Sequence, residues 1–248
     1  SVWLIKKYLP GWENSIVKFV PAGERLVSSI KYKVLSIDDP IEKIDGDEVI
    51  HVDTGLGPLD HHQTASDEVC GASRTFDFIK SLIQNSESRI QNEKWKDKME
   101  AVGRMVKVVV DIDHFKEVFR KDALADYHEF DLAGILDGLK LQFPNQDDYY
   151  VEFVSKCLDA VLHEFENRIW AEKEIKENGI KFETREGIGM GFETINDSVV
   201  KLAQKMGYVL VVRKDPRKGY VRIKALPDQE EKKGANLSLV YEQLKKID

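Results

Sequence analysis

Apolar positions recur at three- and four-residue steps over much of the chain, with short stretches of a different period between them. Val2, Leu4, Ile5, Tyr8 and Leu9 open at helical spacing and stop at Pro10-Gly11. IVKFVPAG (Ile16 to Gly23) then reads as an apolar strand closed by turn residues. GDEVIHVD reads as a second strand, in which Glu48 to Val52 feed the loop TGLGPLDHHQ, and CGASRTFDFIKSLI supplies the next helix with small residues Cys70 to Ser73 at its start. Strands alternating with helices predict an α/β fold built on a doubly wound parallel sheet, whose ligand site lies at the carboxyl ends of the strands. Asp53 sits at such an end.

After Asn85 the pattern turns helical, through KWKDKMEAVGRMVKVVVDIDHF and DLAGILDGLKLQF to a long segment with apolar residues at Val151, Val154, Leu158, Val161, Phe165 and Ile169. That segment predicts a connecting helix over 151–179, ended by Gly179, between a first domain at 1–150 and a smaller α/β domain at 180–248. Within the latter, REGIGMGFE reads as a turn between domains, FETINDSVVKLAQKMG as a helix, and YVLVVRKDPRKGYVRIKALPD as two strands around a DPRKG turn. LSLVYEQLKKID closes the sequence as a helix.

Composition narrows the function classes. A net charge of −7 and a pI near 5.5 argue against a surface tuned as a whole to nucleic acid, although a local basic groove remains open. Cys70 and Cys157 form no disulfide framework or zinc-finger spacing, which fits a reducing cytoplasm. No apolar run reaches the roughly 18 to 20 residues of a membrane span. TGLGP is no dinucleotide fingerprint, no P-loop occurs, and Ser66, Ser73 and the cysteines sit in no nucleophile elbow.

The chemistry gathers in VIHVDTGLGPLDHHQ, from Val49 to Gln63. Asp and His side chains suit borderline divalent ions such as Mn²⁺, and two such ions bridged by one carboxylate can activate water and neutralise a phosphate undergoing in-line displacement. A DHH tripeptide alone is weak. Its place in a Gly-rich loop, seven residues after a strand-terminal Asp and just before a helix start, carries the weight. The competing account makes His61 and His62 hydrogen-bonded loop histidines and Asp60 a turn residue.

VxxD followed by DHH resembles the second and third motifs of the DHH phosphoesterase superfamily, and DHHQ is most similar to its branch of melanocyte-proliferating-gene exonucleases. The carboxyl-terminal hairpin resembles that branch more loosely. The resemblance implies that Asp53 bridges two metals, Mn²⁺ or Mg²⁺, that His61 ligates one of them, that Asp60 orients a neighbour, and that His62 faces the substrate phosphate as a donor or general acid. It further implies a ligand from VVVDIDHF. Asp111 is the expected one, with Asp113 or His114 as alternatives.

The resemblance also exposes departures. The superfamily's first acidic motif precedes a helix like SVWLI, so it is expected upstream of Ser1, and Asp53, His61 and Asp111 alone are expected to bind metal weakly. The Gly- and His-containing substrate loop of many relatives is not present. Arg217 and Lys218, with Arg213, Lys214, Arg222 and Lys224, give the hairpin a basic character that serves either to hold a polyanionic substrate or simply to keep exposed strands soluble. The implied function is a metal-dependent phosphodiesterase, foremost an oligonucleotide exonuclease acting on single strands. A hydrolase of a small phosphate compound and a silent binding relative are the alternatives, and a dimer is left open.

Overall fold

The computed structural model describes residues 1–26, 39–84, 92–228 and 235–246. The predicted helices form there, whereas the predicted N-terminal sheet does not. The chain divides into two compact units, Ser1–Phe165 and Glu166–Asp248, and the boundary falls inside a long helix.

The first unit is held by helices. α1 (Val2–Tyr8) buries Trp3, Leu4 and Ile5. α2 (Gly71–Gln84) packs between α1 and α3 (Glu93–Asp113). On α3 the buried positions are Ala101, Val102, Met105, Val106 and Val110, a stripe at the 3.6-residue period. Asn92 caps this helix by accepting from the Lys94 amide at 3.0 Å, and Val110 joins Cys70 and Ala72 in one buried cluster. α4 (Leu132–Gln142) is capped by Asp131, which accepts from the Gly134 amide at 2.8 Å, but buries no residue. On α5 (Asp147–Glu177), Asp159 Oδ1 accepts from the Trp3 indole at 3.0 Å and from Lys7 Nζ at 2.6 Å, which ties α1 to the N-terminal half of the long helix.

Strand formation in this unit departs from expectation. Residues 15–20 run without a ladder, since an apolar alternation makes a strand only where another strand accepts its hydrogen bonds. The expected strand at Glu48–Val52 is instead the short β2 (Asp47–Val49), paired antiparallel with β1 (Glu42–Ile44). Asp45 and Gly46, at φ 52° and 96°, form the turn of this hairpin. An Asp-Gly pair is the strongest short-range hairpin signal, so the turn was readable in IDGD. Among the described residues no doubly wound parallel sheet is present.

The second unit carries a mixed four-stranded sheet in the order β3 (Ile180–Glu183), β4 (Ile188–Glu193), β5 (Leu210–Lys214), β6 (Val221–Ala225). β4 and β5 run parallel, joined through α6 (Ser198–Lys205), and the outer pairs are antiparallel. One face of the sheet contributes Met190, Phe192 and Val211 to a core with Ala171 and Ile175 of α5 and Val199, Val200 and Ala203 of α6. Gly179 lets the chain leave α5, because a Cβ there would lie 2.6 Å from Met190 Sδ and 2.5 Å from the Ile175 carbonyl oxygen. IGMGFE, expected as an interdomain turn, is the inner strand β4, and its alternate glycines were misread as turn residues. α7 (Ser238–Leu244) follows the sheet. Among the described residues no helix is long and apolar enough to cross a membrane.

Candidate metal centre

The DHH loop is shaped by its own backbone and by one buried carboxylate. Asp53, Gly55 and Leu56 all take positive φ, at 56°, 67° and 55°, which turns the chain sharply after β2. The Asp53 amide donates to the Leu59 carbonyl at 3.1 Å and closes the loop. Asp60, 1% exposed, then accepts from the Leu56 amide at 2.7 Å, the His61 amide at 2.7 Å and the His62 amide at 3.1 Å, and its Oδ1 lies 2.6 Å from His62 Nδ1. Burial opposes ionisation of Asp60, but the hydrogen bonds from the His62 ring and the three amides outweigh it and hold the carboxyl below the usual range. The same bond raises the pKa of His62, against a smaller desolvation effect, and the negative charge of Asp60, Asp53 and Asp113 adds to the rise. Asp60 thus holds the His62 ring through Nδ1 and leaves Nε2 as the His62 nitrogen that it does not engage.

Around His61 the fold brings acids together from distant parts of the chain. His61, 8% exposed, places Nε2 3.4 Å from Asp53 Oδ1 and 3.3 Å from Asp113 Oδ2. His62 joins Asp53 and His61, and His114 joins His61 and Asp113, in groups whose potential ligand atoms lie within 4.8 Å of one another. The His114 ring is fixed through Nε2, 2.8 Å from the Val69 carbonyl oxygen, and meets the His61 ring edge-on with centroids 5.5 Å apart.

The end of α3 turns the candidate acids apart. Asp111 and Asp113 are two residues apart on a helix and so face different ways. Asp113 turns to His61, while Asp111 lies 3.7 Å from Lys116 Nζ, in an ion cluster with Asp67 and Glu68. Asp113 and His114 thus stand where Asp111 was expected.

The start of α2 makes room for Asp53. A Cβ on Gly71 would lie 2.6 Å from Asp53 Oδ1 and 2.7 Å from Asp53 Cβ, so the carboxylate occupies space that only a glycine leaves. The preceding turn is locked by Ser73, whose hydroxyl accepts from the Cys70 amide and donates to the Cys70 carbonyl, both at 2.9 Å. On the other side of the loop Arg25 packs across Gly55 and Gly57, donates to the Gly55 carbonyl at 3.3 Å and pairs with Glu42. The run of small residues from Cys70 was visible in the sequence; the dependence of Asp53 on Gly71 was not.

This donor set fits a divalent cation. Nitrogen and oxygen ligands bound at about 2.0–2.2 Å to one ion stand about 3–3.5 Å apart, the spacing seen between His61 and its two carboxylates. Both acids approach the same Nε2, so the two groups meet at His61, with Asp53 and His62 in one and Asp113 and His114 in the other.

The hairpin residues are placed differently. Arg217 is engaged by Asp215, at 2.9 Å through its amide and 3.3 Å through Nη2, whereas Lys218 sits 5.9 Å from the Tyr220 ring centroid. They lie in the second unit, and the DHH loop in the first. No family model, curated protein or solved structure matches the chain.

Proposed function

We propose that the protein is a divalent-metal-dependent phosphoesterase of the DHH type, with Asp53, His61 and Asp113 as its metal ligands. The observation that carries this reading is the approach of Asp53 and Asp113 to one buried imidazole nitrogen. Asp113 lies outside the DHH stretch, in the segment from which the resemblance implied a further ligand, so its approach to His61 supports the reading. Mn²⁺ or Mg²⁺ bound there would supply a Lewis acid for a phosphoryl oxygen and a lowered pKa for water. His62 is held by Asp60, whose hydrogen bond favours the protonated ring, and donates to a phosphate oxygen or protonates the leaving oxygen. His114 and the Val69 carbonyl brace the margin of the centre.

Single-stranded oligonucleotide is the leading substrate on the motif. A specific observation favours the smaller phosphate compounds as a second reading: Arg213, Lys214, Arg217 and Arg222 are already paired with Asp197, Glu193 or Asp215. The test is calorimetric titration of the chain with Mn²⁺, followed by hydrolysis assays on short RNA and DNA oligomers and on cyclic dinucleotides. Asp53→Ala and Asp113→Asn serve as controls for contaminating nuclease. Stoichiometric Mn²⁺ binding and hydrolysis, both abolished by either substitution, are expected. Mn²⁺ binding that survives both substitutions would sink the assignment.

A further inference from the structure

Among the described residues a core covers one face of the sheet in the second unit, and the other face is apolar as far as Glu193 and Lys214 at the strand ends. In the registers that pair Phe182 with Gly189, Gly191 with Val212 and Val212 with Ile223, this second face presents Ile180 and Phe182 from β3, Leu210 and Val212 from β5, and Val221 and Ile223 from β6. Ile180 is 69% and Val221 56% exposed, and the other four are half-buried. β4 contributes two glycines to this face, Gly189 beneath the Phe182 ring and Gly191 against Ile180 of β3, so β4 adds no apolar side chain of its own. An antiparallel or mixed sheet that meets water on one side carries polar residues there in alternation. This one has no polar side chain between its two outer strands until Glu193 and Lys214 at the strand ends.

The same unit holds a helix with the opposite deficit. Leu237, Val240, Tyr241 and Leu244 fall at i, i+3, i+4 and i+7, the anchor spacing of a helix laid on an apolar surface. Yet every residue of α7 is exposed. A helix of this length has no stability of its own in water, where fewer than about 12–15 residues are marginal.

We infer that α7 docks through Leu237, Val240, Tyr241 and Leu244 on the second face of its own sheet and forms a third layer of the unit. The connection from 226 to 237 can extend to roughly 40 Å, and four strands span only about 15 Å, so every point of the face is within reach. Tethering sets an effective concentration in the millimolar range, far above the micromolar concentration of a second copy, and therefore selects the helix of the same chain over that of a neighbour. The inference is independent of the metal centre.

The test is site-specific photocrosslinking of the full chain, with p-benzoylphenylalanine placed at Tyr241, at Leu244, and at Glu242 on the opposite side of the helix as control. Adducts from positions 241 and 244 to residues 180–183, 210–214 or 221–225 of the same chain, several-fold above the control, are expected. Adducts joining two chains, with a dimer-sized band, would overturn the choice of occupant. Yields at both positions no higher than at 242 would overturn the docking altogether.

Discussion

The loop that carries His61 and the β5–β6 hairpin are both rich in charge, and each is organised by a buried aspartate, yet the charges around them are disposed in opposite ways. Asp215 accepts from the amide and guanidinium of Arg217 and stands 3.9 Å from Arg213, Asp197 pairs with Arg213 and Arg222, and Lys214 with Glu193. Every one of these acids has its cation. In the DHH loop Asp60 is satisfied by amides and by His62, but within ion-pair distance Asp53 has His61 and Asp113 has His61 and His114, and among the described residues no lysine or arginine bridges to either. Opposite charges drawn together stabilise a turn. Like charges drawn together cost stability, and such an arrangement is characteristic of a place where a ligand supplies the missing charge.

The sharpest way to break this contrast is to remove one acid at the centre. Asp113→Asn is expected to weaken Mn²⁺ binding by roughly a hundredfold or more, since even outer partners of metal ligands are worth about 10–100-fold. Because it also relieves repulsion, it should leave the metal-free melting temperature unchanged or raise it. Asp111→Asn should leave Mn²⁺ affinity alone, because its partner is Lys116. Calorimetry and thermal melts with and without Mn²⁺ read both effects. Equal losses in the two variants would return Asp111 to the site.

Gly71→Ala tests whether Asp53 is held in place by the helix start. A methyl group 2.6 Å from Asp53 Oδ1 and 2.7 Å from its Cβ cannot be accommodated by rotating the carboxylate alone, so the loop must shift. Mn²⁺ affinity should fall about 10–100-fold, in the range set by misplaced supporting groups. Circular dichroism should show α2 intact, as alanine is the better helix former. Unchanged affinity would show that Asp53 is not a ligand in the position described.

These two experiments mark how far the site was legible. Asp53, Asp60, His61 and His62 lie in one short stretch, and a loop that must gather four polar groups leaves a local signature. Asp113 is remote from it, and the choice between Asp111 and Asp113 depends on helix against strand geometry: on a strand the two would share a face, on α3 they do not. Helices were readable throughout because their signal is local, as in the stripe from Ala101 to Val110. The N-terminal sheet was not, because a strand depends on its partners, and IVKFVPAG has none in a ladder. Gly189 and Gly191 were misassigned for a related reason. Glycine marks a turn in isolation, but at alternate positions beside Phe182 it marks a strand face that something else approaches.

On the hairpin side, Asp215→Asn should loosen the turn from Asp215 to Tyr220 without touching Mn²⁺ affinity. Its carboxyl is held below the usual range first by the Arg217 side chain and then by the Arg217 amide. A depressed carboxyl stabilises the fold at pH values above its unfolded pKa, about 3.9, and that contribution is lost as pH falls through the folded value. The melting temperatures of wild type and variant should therefore differ at neutral pH and converge below about pH 4. A gap that persists undiminished in acid would assign the effect to packing.

The smallest expected effect separates the two substrate readings. Among the described residues Lys218 has no carboxylate in an ion pair with it, and it rests 5.9 Å from the ring of Tyr220, which is itself exposed, so it is a hairpin cation available to a phosphate. Lys218→Ala should change stability by no more than about 0.5 kcal/mol, as surface substitutions do. If single-stranded oligonucleotides are the substrate and reach this hairpin, one lost phosphate contact should raise KM a few-fold and lower the salt dependence of binding by about 0.7 in the log–log slope, with kcat unchanged. If the substrate is a small phosphate compound held at the metal alone, neither KM nor its salt slope should move. The comparison is decisive only on the same enzyme with both substrates. A KM change confined to the oligonucleotide would give the hairpin a binding role, and no change with either would leave all six of its cations to solvation and ion pairing.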